Sequence, residues 1–182
     1  MKEVEVKARI ADKEAIIKKL ESLGCKFSEP ITQHDQIYVT LDVDFPDVKT
    51  GQGAARIRRQ FGDKGDKILL TLKQVQKNQL DKIEHEVEIS DAKEMDAILR
   101  IIGYRLVSEV KKVRRKTKYQ GDEICVDEVE GLGSFMEMER LAEEGDSDQI
   151  QAELFSFLKT LGIKDSDRVF DSYDIMAYKQ KK

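Results

Sequence analysis

The feature that most constrains the fold is an alternation of apolar and charged residues that recurs in eight segments. Side chains at every second position of an extended strand share one face. In the first segment, Val4 and Val6 share one face, while Glu3, Glu5 and Lys7 share the other. Eight such segments predict an α+β protein built around an antiparallel sheet. The predicted strands are 2–10, 32–40, 54–61, 67–75, 82–90, 109–119, 122–129 and 134–141.

Three other segments have the periodicity of amphipathic helices. They run over 12–23, 91–102 and 146–161, and a glycine follows each of them. Apolar residues recur every three to four positions in these segments, as expected for helices that cover a sheet on one side. The polar residues after 162 give no clear period, so the sequence assigns no element there. We expect one domain over 1–182.

Composition excludes several classes of protein. Charged residues make up 37% of the chain, but the net charge is only −4, whereas nucleic-acid binders usually carry an uncompensated basic face. Cys25 and Cys125 are far apart and fit neither a disulfide framework nor a zinc site. The sequence therefore predicts no nucleic-acid partner.

The distribution of apolar residues bears on location. No apolar run approaches the roughly 18 residues that a membrane helix needs. The first residues are charged and lack the apolar segment of a signal peptide. We expect a cytoplasmic protein without a membrane partner, and the sequence leaves a homodimer open.

The charged strand faces have two interpretations. On any single strand they could be an ordinary solvated surface. Eight strands with only three helices, however, favour a closed or nearly closed barrel with the helices outside and the charged faces inside. An eight-stranded barrel has room for one small ligand, and buried like charges need a partner or a ligand.

The two kinds of charge predict what that ligand is. Clustered arginine and lysine side chains suit a polyanion. Carboxylates would repel that polyanion unless a hard divalent cation lay between them, and all-carboxylate ligation suits Mg²⁺ or Mn²⁺. The interior therefore predicts a metal–triphosphate complex. The cations are Arg56, Arg58, Lys73, Lys112 and Arg114, and the carboxylates are Glu3, Glu5, Asp127, Glu137 and Glu139.

The first strand also carries the clearest resemblance to a known family. Glu3-Val4-Glu5-Val6-Lys7 resembles the ExExK signature of the CYTH superfamily, the triphosphate tunnel proteins. Further segments resemble the other family motifs in the expected order along nearly the whole chain. They are 33–38, 55–58, 70–73, 112–114, 127–139 and the Ser172-Tyr173 pair.

The resemblance implies a fold and a set of roles. It implies an eight-stranded antiparallel tunnel with helices outside. The metal ligands it implies are Glu3, Glu5, Asp127, Glu137 and Glu139. The triphosphate-binding residues it implies are Lys7, Arg56, Arg58, Lys73, Lys112 and Arg114. The catalytic residues it implies are Glu5, Lys7, Lys73, Arg114 and Asp127.

The resemblance leaves three activities open. The chain looks most like class IV adenylyl cyclases, which convert ATP into 3′,5′-cyclic AMP and pyrophosphate. The alternative is a triphosphatase that hydrolyses thiamine triphosphate, inorganic triphosphate or a nucleotide in the same tunnel. A non-catalytic module that binds polyphosphate or a nucleotide is the third hypothesis, which the retention of every motif carboxylate disfavours.

Overall fold

The eight predicted strands form a closed barrel in the computed structural model of the protein, which describes residues 2–142 and 146–181. Neighbouring strands are antiparallel in the order β5-β4-β3-β2-β6-β7-β8-β1, and β1 also pairs with β5. That closing contact is short, because only Lys2–Val4 pair with Asp81–Ile83. The expected barrel is therefore confirmed. The strands are β1 (Lys2–Arg9), β2 (Ile31–Thr40), β3 (Gly53–Phe61), β4 (Lys67–Val75), β5 (Asp81–Glu88), β6 (Tyr104–Tyr119), β7 (Asp122–Val129) and β8 (Gly133–Ala142).

The three predicted helices lie outside the barrel. Asp12, Asp91 and Asp146 each cap the first turn by accepting a backbone N–H bond, which satisfies donors that a helix start leaves free. The observed helices begin and end within one residue of the predicted bounds. They are α1 (Lys13–Ser22), α2 (Ala92–Ile101) and α3 (Ser147–Thr160).

The apolar strand faces point outward, under the helices. α1 and α3 cover β1, β7 and β8, where Leu20 and Leu158 pack with Val6 and Met136 in one buried cluster. α2 covers a second cluster on β2 and β3, and the Tyr38 hydroxyl donates to Asp96 Oδ1 at 2.6 Å. Because the outer faces are apolar, the charged faces of the same strands line the interior.

One strand is longer than the alternation predicted. β6 begins at Tyr104 rather than at 109. Its register with β2 shifts between Ile37 and Tyr38, which pair with Ser108 and Leu106 and leave Val107 between them. This extra residue reverses the order of inward and outward side chains, so the period-two pattern breaks at that point.

The C-terminal segment adds a short strand and a helix that the sequence did not reveal. A two-residue strand, β9 (Arg168–Val169), pairs with β1 at Lys7 and Ala8. The helix α4 (Tyr173–Gln180) follows it and lies across the end of the barrel where β6 begins. There, the Ser108 hydroxyl donates to the Asp174 carbonyl at 2.9 Å. None of the helices in 2–142 and 146–181 is long and apolar enough to cross a membrane.

Candidate active site

The barrel interior contains one cavity that gathers nearly all of the predicted site residues. Seven strands, β1 to β6 and β8, line this cavity, and the start of α4 closes one side. Asp127 is the one predicted site residue that does not line it. The predicted residues that do are Glu3, Glu5, Lys7, Arg56, Arg58, Lys73, Lys112, Arg114, Glu137 and Glu139.

Two arginines of the cavity are held by buried aspartates. Arg58 donates through Nε and Nη2 to the two carboxylate oxygens of Asp35, both at 2.7 Å. Arg114 makes the same two-bond contact with Asp127, at 2.7 and 2.5 Å. Burial alone would raise the pKa of Asp35, but Arg58 outweighs it and holds that pKa well below its usual value. These planar pairs fix the two guanidinium groups in the wall.

Asp127 lies behind Arg114 and not at the cavity surface. It is fully buried, and its Oδ2 also accepts a bond from the Tyr173 hydroxyl at 2.9 Å. Both carboxylate oxygens are therefore engaged with protein donors. The family resemblance implied that Asp127 binds the metal directly. Its position is better suited to a residue that orients Arg114 and α4.

Lys7 lies between two carboxylates that also line the cavity. Its Nζ is 3.1 Å from Glu137 Oε1 and 3.4 Å from Glu5 Oε1, and it lies 4.3 Å from the Tyr173 ring centroid. Burial disfavours the charged ammonium, but Glu5 and Glu137 outweigh burial and raise the pKa of Lys7. Lys7, like Arg114, also holds the pKa of the buried Glu137 well below its usual value.

Arg56 and Lys73 have glutamate partners but no two-bond contact with a single carboxylate. Arg56 Nη2 is 2.9 Å from Thr71 Oγ1 and 3.2 Å from Glu86 Oε2. Lys73 contacts Glu84, and its Nζ is 3.9 Å from Glu3 Oε2. Burial, together with nearby Arg56 and Lys82, lowers the pKa of Lys73 well below its usual value.

Three carboxylates share one side of the cavity. Glu5 and Glu139 are directly opposite on β1 and β8, an arrangement that is unfavourable for like charges. Burial, followed by repulsion from Glu3 and Glu5, raises the pKa of Glu139 to about 8. A bound cation would remove this repulsion, and oxygen donors suit Mg²⁺ or Mn²⁺.

The donor chemistry fits such a metal, although the carboxylates are spread out. Within the described ranges, no three His, Cys, Asp or Glu side chains are grouped closely enough to enclose an ion. Glu3, Glu5 and Glu137 instead form ion pairs with Lys73 or Lys7, and Glu137 also contacts Arg114. A metal would therefore replace lysine as the partner of Glu3 and Glu5, whereas Glu137 could keep its contact with Arg114.

Sequence reasoning missed one cation of the cavity, Lys82. It lines the cavity from β5, and burial is the first cause of its lowered pKa. The alternation could have identified Lys82, because it lies on the same face of β5 as Glu84 and Glu86. The glutamates that follow it made this strand face look acidic, so the lysine was not selected.

The end of the cavity nearest α4 is apolar. Aliphatic side chains from four consecutive strands line it, together with two loop residues and Ile175 of α4. Along β6, the order from this end is Val110, Lys112 and Arg114, so cations follow the apolar layer. The lining side chains are Ile37, Val48, Ala54, Val75, Leu80, Val110 and Ile175.

A closed antiparallel barrel whose interior combines several cations with several carboxylates defines the class of triphosphate tunnel proteins. A family model described as the CYTH domain matches residues 1–173. The chain therefore belongs to the CYTH family.

Individual relatives agree with this assignment. A Methanocaldococcus jannaschii protein named as a candidate adenylate cyclase is 31% identical over 176 residues, which cover 95% of this chain and 97% of that protein. A Pyrococcus horikoshii structure has a TM-score of 0.84 at 28% identity, covering 98% of this chain and 99% of the other. A Hippeastrum protein, named as a candidate adenylyl cyclase with a dominant triphosphatase activity, shares the fold at 17% identity and a TM-score of 0.62, covering 100% of this chain and 96% of the other.

Proposed function

We propose that this protein is a metal-dependent adenylyl cyclase of class IV, which converts ATP into 3′,5′-cyclic AMP and pyrophosphate. The observation that carries the proposal is the composition of one cavity. It combines cations for phosphate, carboxylates for a metal and an apolar layer for an organic group. The relative with 31% identity that is named as a candidate adenylate cyclase supports the same activity.

The carboxylates supply the metal site in this proposal. Glu5 and Glu139 would be its central ligands, and Glu3 and Glu137 flank them on the same two strands. A divalent metal held there would lower the pKa of the attacking hydroxyl and would neutralise charge on the phosphates.

The cations bind and orient the phosphate chain. Arg56, Lys73 and Lys112 face the cavity and are not fixed by a two-bond contact with a carboxylate, so they can turn toward a ligand. Their positive charge stabilises the pyrophosphate as it leaves, because charge that develops in a buried site is strongly affected by fixed charges. Arg58 and Arg114, held by Asp35 and Asp127, keep the wall in place around them.

Hydrolysis of the terminal phosphate is the second candidate, and one observation favours it. The acidic residues Glu3 and Glu139 lie away from the apolar layer near α4, while Lys7, next to Tyr173, lies closer to that layer. A nucleotide whose base contacts the apolar layer would present its terminal phosphate to the carboxylates. A metal there would activate water next to that phosphorus.

Product analysis separates the two candidates. The protein is incubated with Mg²⁺ or Mn²⁺ and either ATP or inorganic triphosphate, and the products are resolved by chromatography. Cyclic AMP with an equal amount of pyrophosphate supports the cyclase. Orthophosphate without cyclic AMP supports the hydrolase and contradicts the cyclase, and binding without turnover contradicts both.

A further inference from the structure

Two cations of the cavity have no carboxylate within ion-pair distance among the described residues. They are Lys82 on β5, which is partly buried, and Lys112 on β6, which is buried. Every other lysine or arginine that lines the cavity has at least one acidic partner, as Lys7 has Glu5 and Glu137. Removing an ammonium group from water, even in part, is costly when it has no counter-ion. A bound anion would therefore stabilise these two side chains most.

The barrel topology places these two lysines on opposite walls. In the closed order β5-β4-β3-β2-β6-β7-β8-β1, four steps separate β5 from β6 in either direction. Side chains that point inward from these strands therefore face each other across the interior. Both line the same cavity, so one anionic chain between them could contact both.

We propose that Lys82 is a substrate-binding residue that, together with Lys112, clamps the phosphate chain from opposite walls of the tunnel. Lys112 was expected to bind triphosphate, whereas Lys82 lies outside the motifs of the family resemblance. The assignment rests on the proposed function to the extent that the substrate is a triphosphate. It adds to that function by identifying Lys82 as the residue through which β5 contacts the phosphate chain.

The groups around Lys82 agree with this assignment. Asp174 and Glu5 attract its ammonium from beyond ion-pair distance, while Lys7 and Arg56 repel it. Glu3 is its cross-strand neighbour at the barrel closure, but Glu3 is within 4 Å of Lys73 instead. Burial and the neighbouring cations lower the pKa of Lys82, and a bound anion would offset both effects.

The position of Lys82 also indicates which part of the substrate it contacts. Leu80, two residues earlier, belongs to the apolar layer, and Asp174 is in the first turn of α4. Lys82 is thus closer to the apolar layer than Glu84 and Glu86, which follow it on β5. With an organic group on that layer, Lys82 would grip the phosphates nearest to that group.

The test measures binding and turnover in matched variants. Lys82→Met removes the charge and keeps an unbranched side chain, Lys82→Arg keeps the charge, and Lys118→Met removes an exposed charge from β6. Affinities for inorganic triphosphate and ATP are measured by calorimetry in EDTA, and kcat and KM are measured with Mg²⁺. Urea midpoints establish that each variant folds.

One charge-assisted contact corresponds to about a tenfold to hundredfold change in affinity. We expect Lys82→Met to weaken binding of both ligands by this factor and to raise KM more than it lowers kcat. Lys82→Arg retains most of the affinity, and Lys118→Met matches the wild type. A purely structural role would instead change the urea midpoint and leave the affinity of the folded protein unchanged.

The outcomes separate this proposal from the proposed function. If the wild type binds triphosphate and Lys82→Met binds it equally well, the clamp is wrong and the function stands. If the wild type binds triphosphate without turnover and Lys82→Met binds it more weakly, the clamp stands and the enzymatic function is wrong. If the wild type binds neither ligand, both proposals are wrong.

Discussion

The tunnel holds its cations in two different ways. On the wall formed by β2, β3, β6 and β7, Arg58 and Arg114 each make two hydrogen bonds to one buried aspartate. On the wall formed by β1, β4 and β5, Lys73 forms ion pairs with Glu84 and Glu3, and Lys82 has no ion pair within the described chain.

The difference follows from the chemistry of the side chains. A guanidinium group presents its donors in a rigid plane that matches a carboxylate, whereas an ammonium group is a point charge on a flexible stem. The arginine pairs are already satisfied, so they stabilise the barrel. Among the lysines of the cavity, Lys82 and Lys112 have no ion pair within the described chain, so these two are the most available to a ligand.

The largest expected effect comes from breaking an arginine pair. Arg114→Met leaves Asp127 buried without its counter-ion, and we expect the free energy of unfolding to fall by about 3–5 kcal/mol. Urea denaturation measures it. Lys112→Met, two residues away on the same strand, is the control and should retain full stability, because Lys112 has no ion pair to lose. Equal losses in the two variants would remove the distinction between the paired arginines and the unpaired lysines.

The next effect concerns the carboxylates of the cavity. Glu5→Gln removes a central metal ligand and, since metal ions supply several kcal/mol of transition-state stabilisation, we expect metal-dependent turnover to fall by at least about a hundredfold. Initial rates with Mg²⁺ and Mn²⁺ measure it. Glu130→Gln, at a carboxylate that is 72% exposed outside the cavity, should retain the wild-type rate. Unchanged turnover in Glu5→Gln would contradict the assignment of Glu5 as a ligand.

A smaller effect is expected from pH. Burial, followed by repulsion from Arg114, lowers the pKa of Lys112 to about 8. As the pH rises through 8, the free protein loses this positive charge, and triphosphate binding in EDTA should weaken by about tenfold. Lys112→Arg remains charged and should lose less affinity over the same pH range. An identical pH profile for the two proteins would show that Lys112 does not carry the effect.

The smallest effect is expected at the contact between α4 and the arginine wall. Tyr173→Phe deletes the hydroxyl that donates to Asp127 Oδ2 at 2.9 Å. One lost hydrogen bond of this kind should lower the free energy of unfolding by about 1–2 kcal/mol, measured by urea denaturation. A loss as large as that of Arg114→Met would mean that α4, not the ion pair, stabilises this wall.

The sequence predicted the barrel because apolar and charged residues alternate along the strands. In the barrel, the apolar side chains point outward and the charged side chains point inward. It predicted the helices because capping aspartates and terminal glycines mark their ends. It missed the start of β6, where a bulge reverses the alternation around Val107. It also missed α4, which buries only Tyr173 and Ile175 and so lacks an apolar stripe.

The candidate site was predictable to a similar degree. Strand parity placed most of the charged residues in one cavity, but it could not show which charges neutralise each other. The pairing of Arg114 with Asp127 depends on the register of β6 with β7, where the two residues are directly opposite. The metal, the compartment and the oligomeric state stay predictions.

The central claim is that the tunnel binds a triphosphate and a divalent metal together. Calorimetry with an ATP analogue that carries methylene groups at both bridging positions tests this claim, because neither phosphoanhydride bond can be cleaved. The wild type should bind the analogue at least about tenfold more tightly with Mg²⁺ than with EDTA, a difference of about 1.4 kcal/mol, and Glu5→Gln should lose that difference. Equal affinity with and without Mg²⁺ in the wild type would contradict the account.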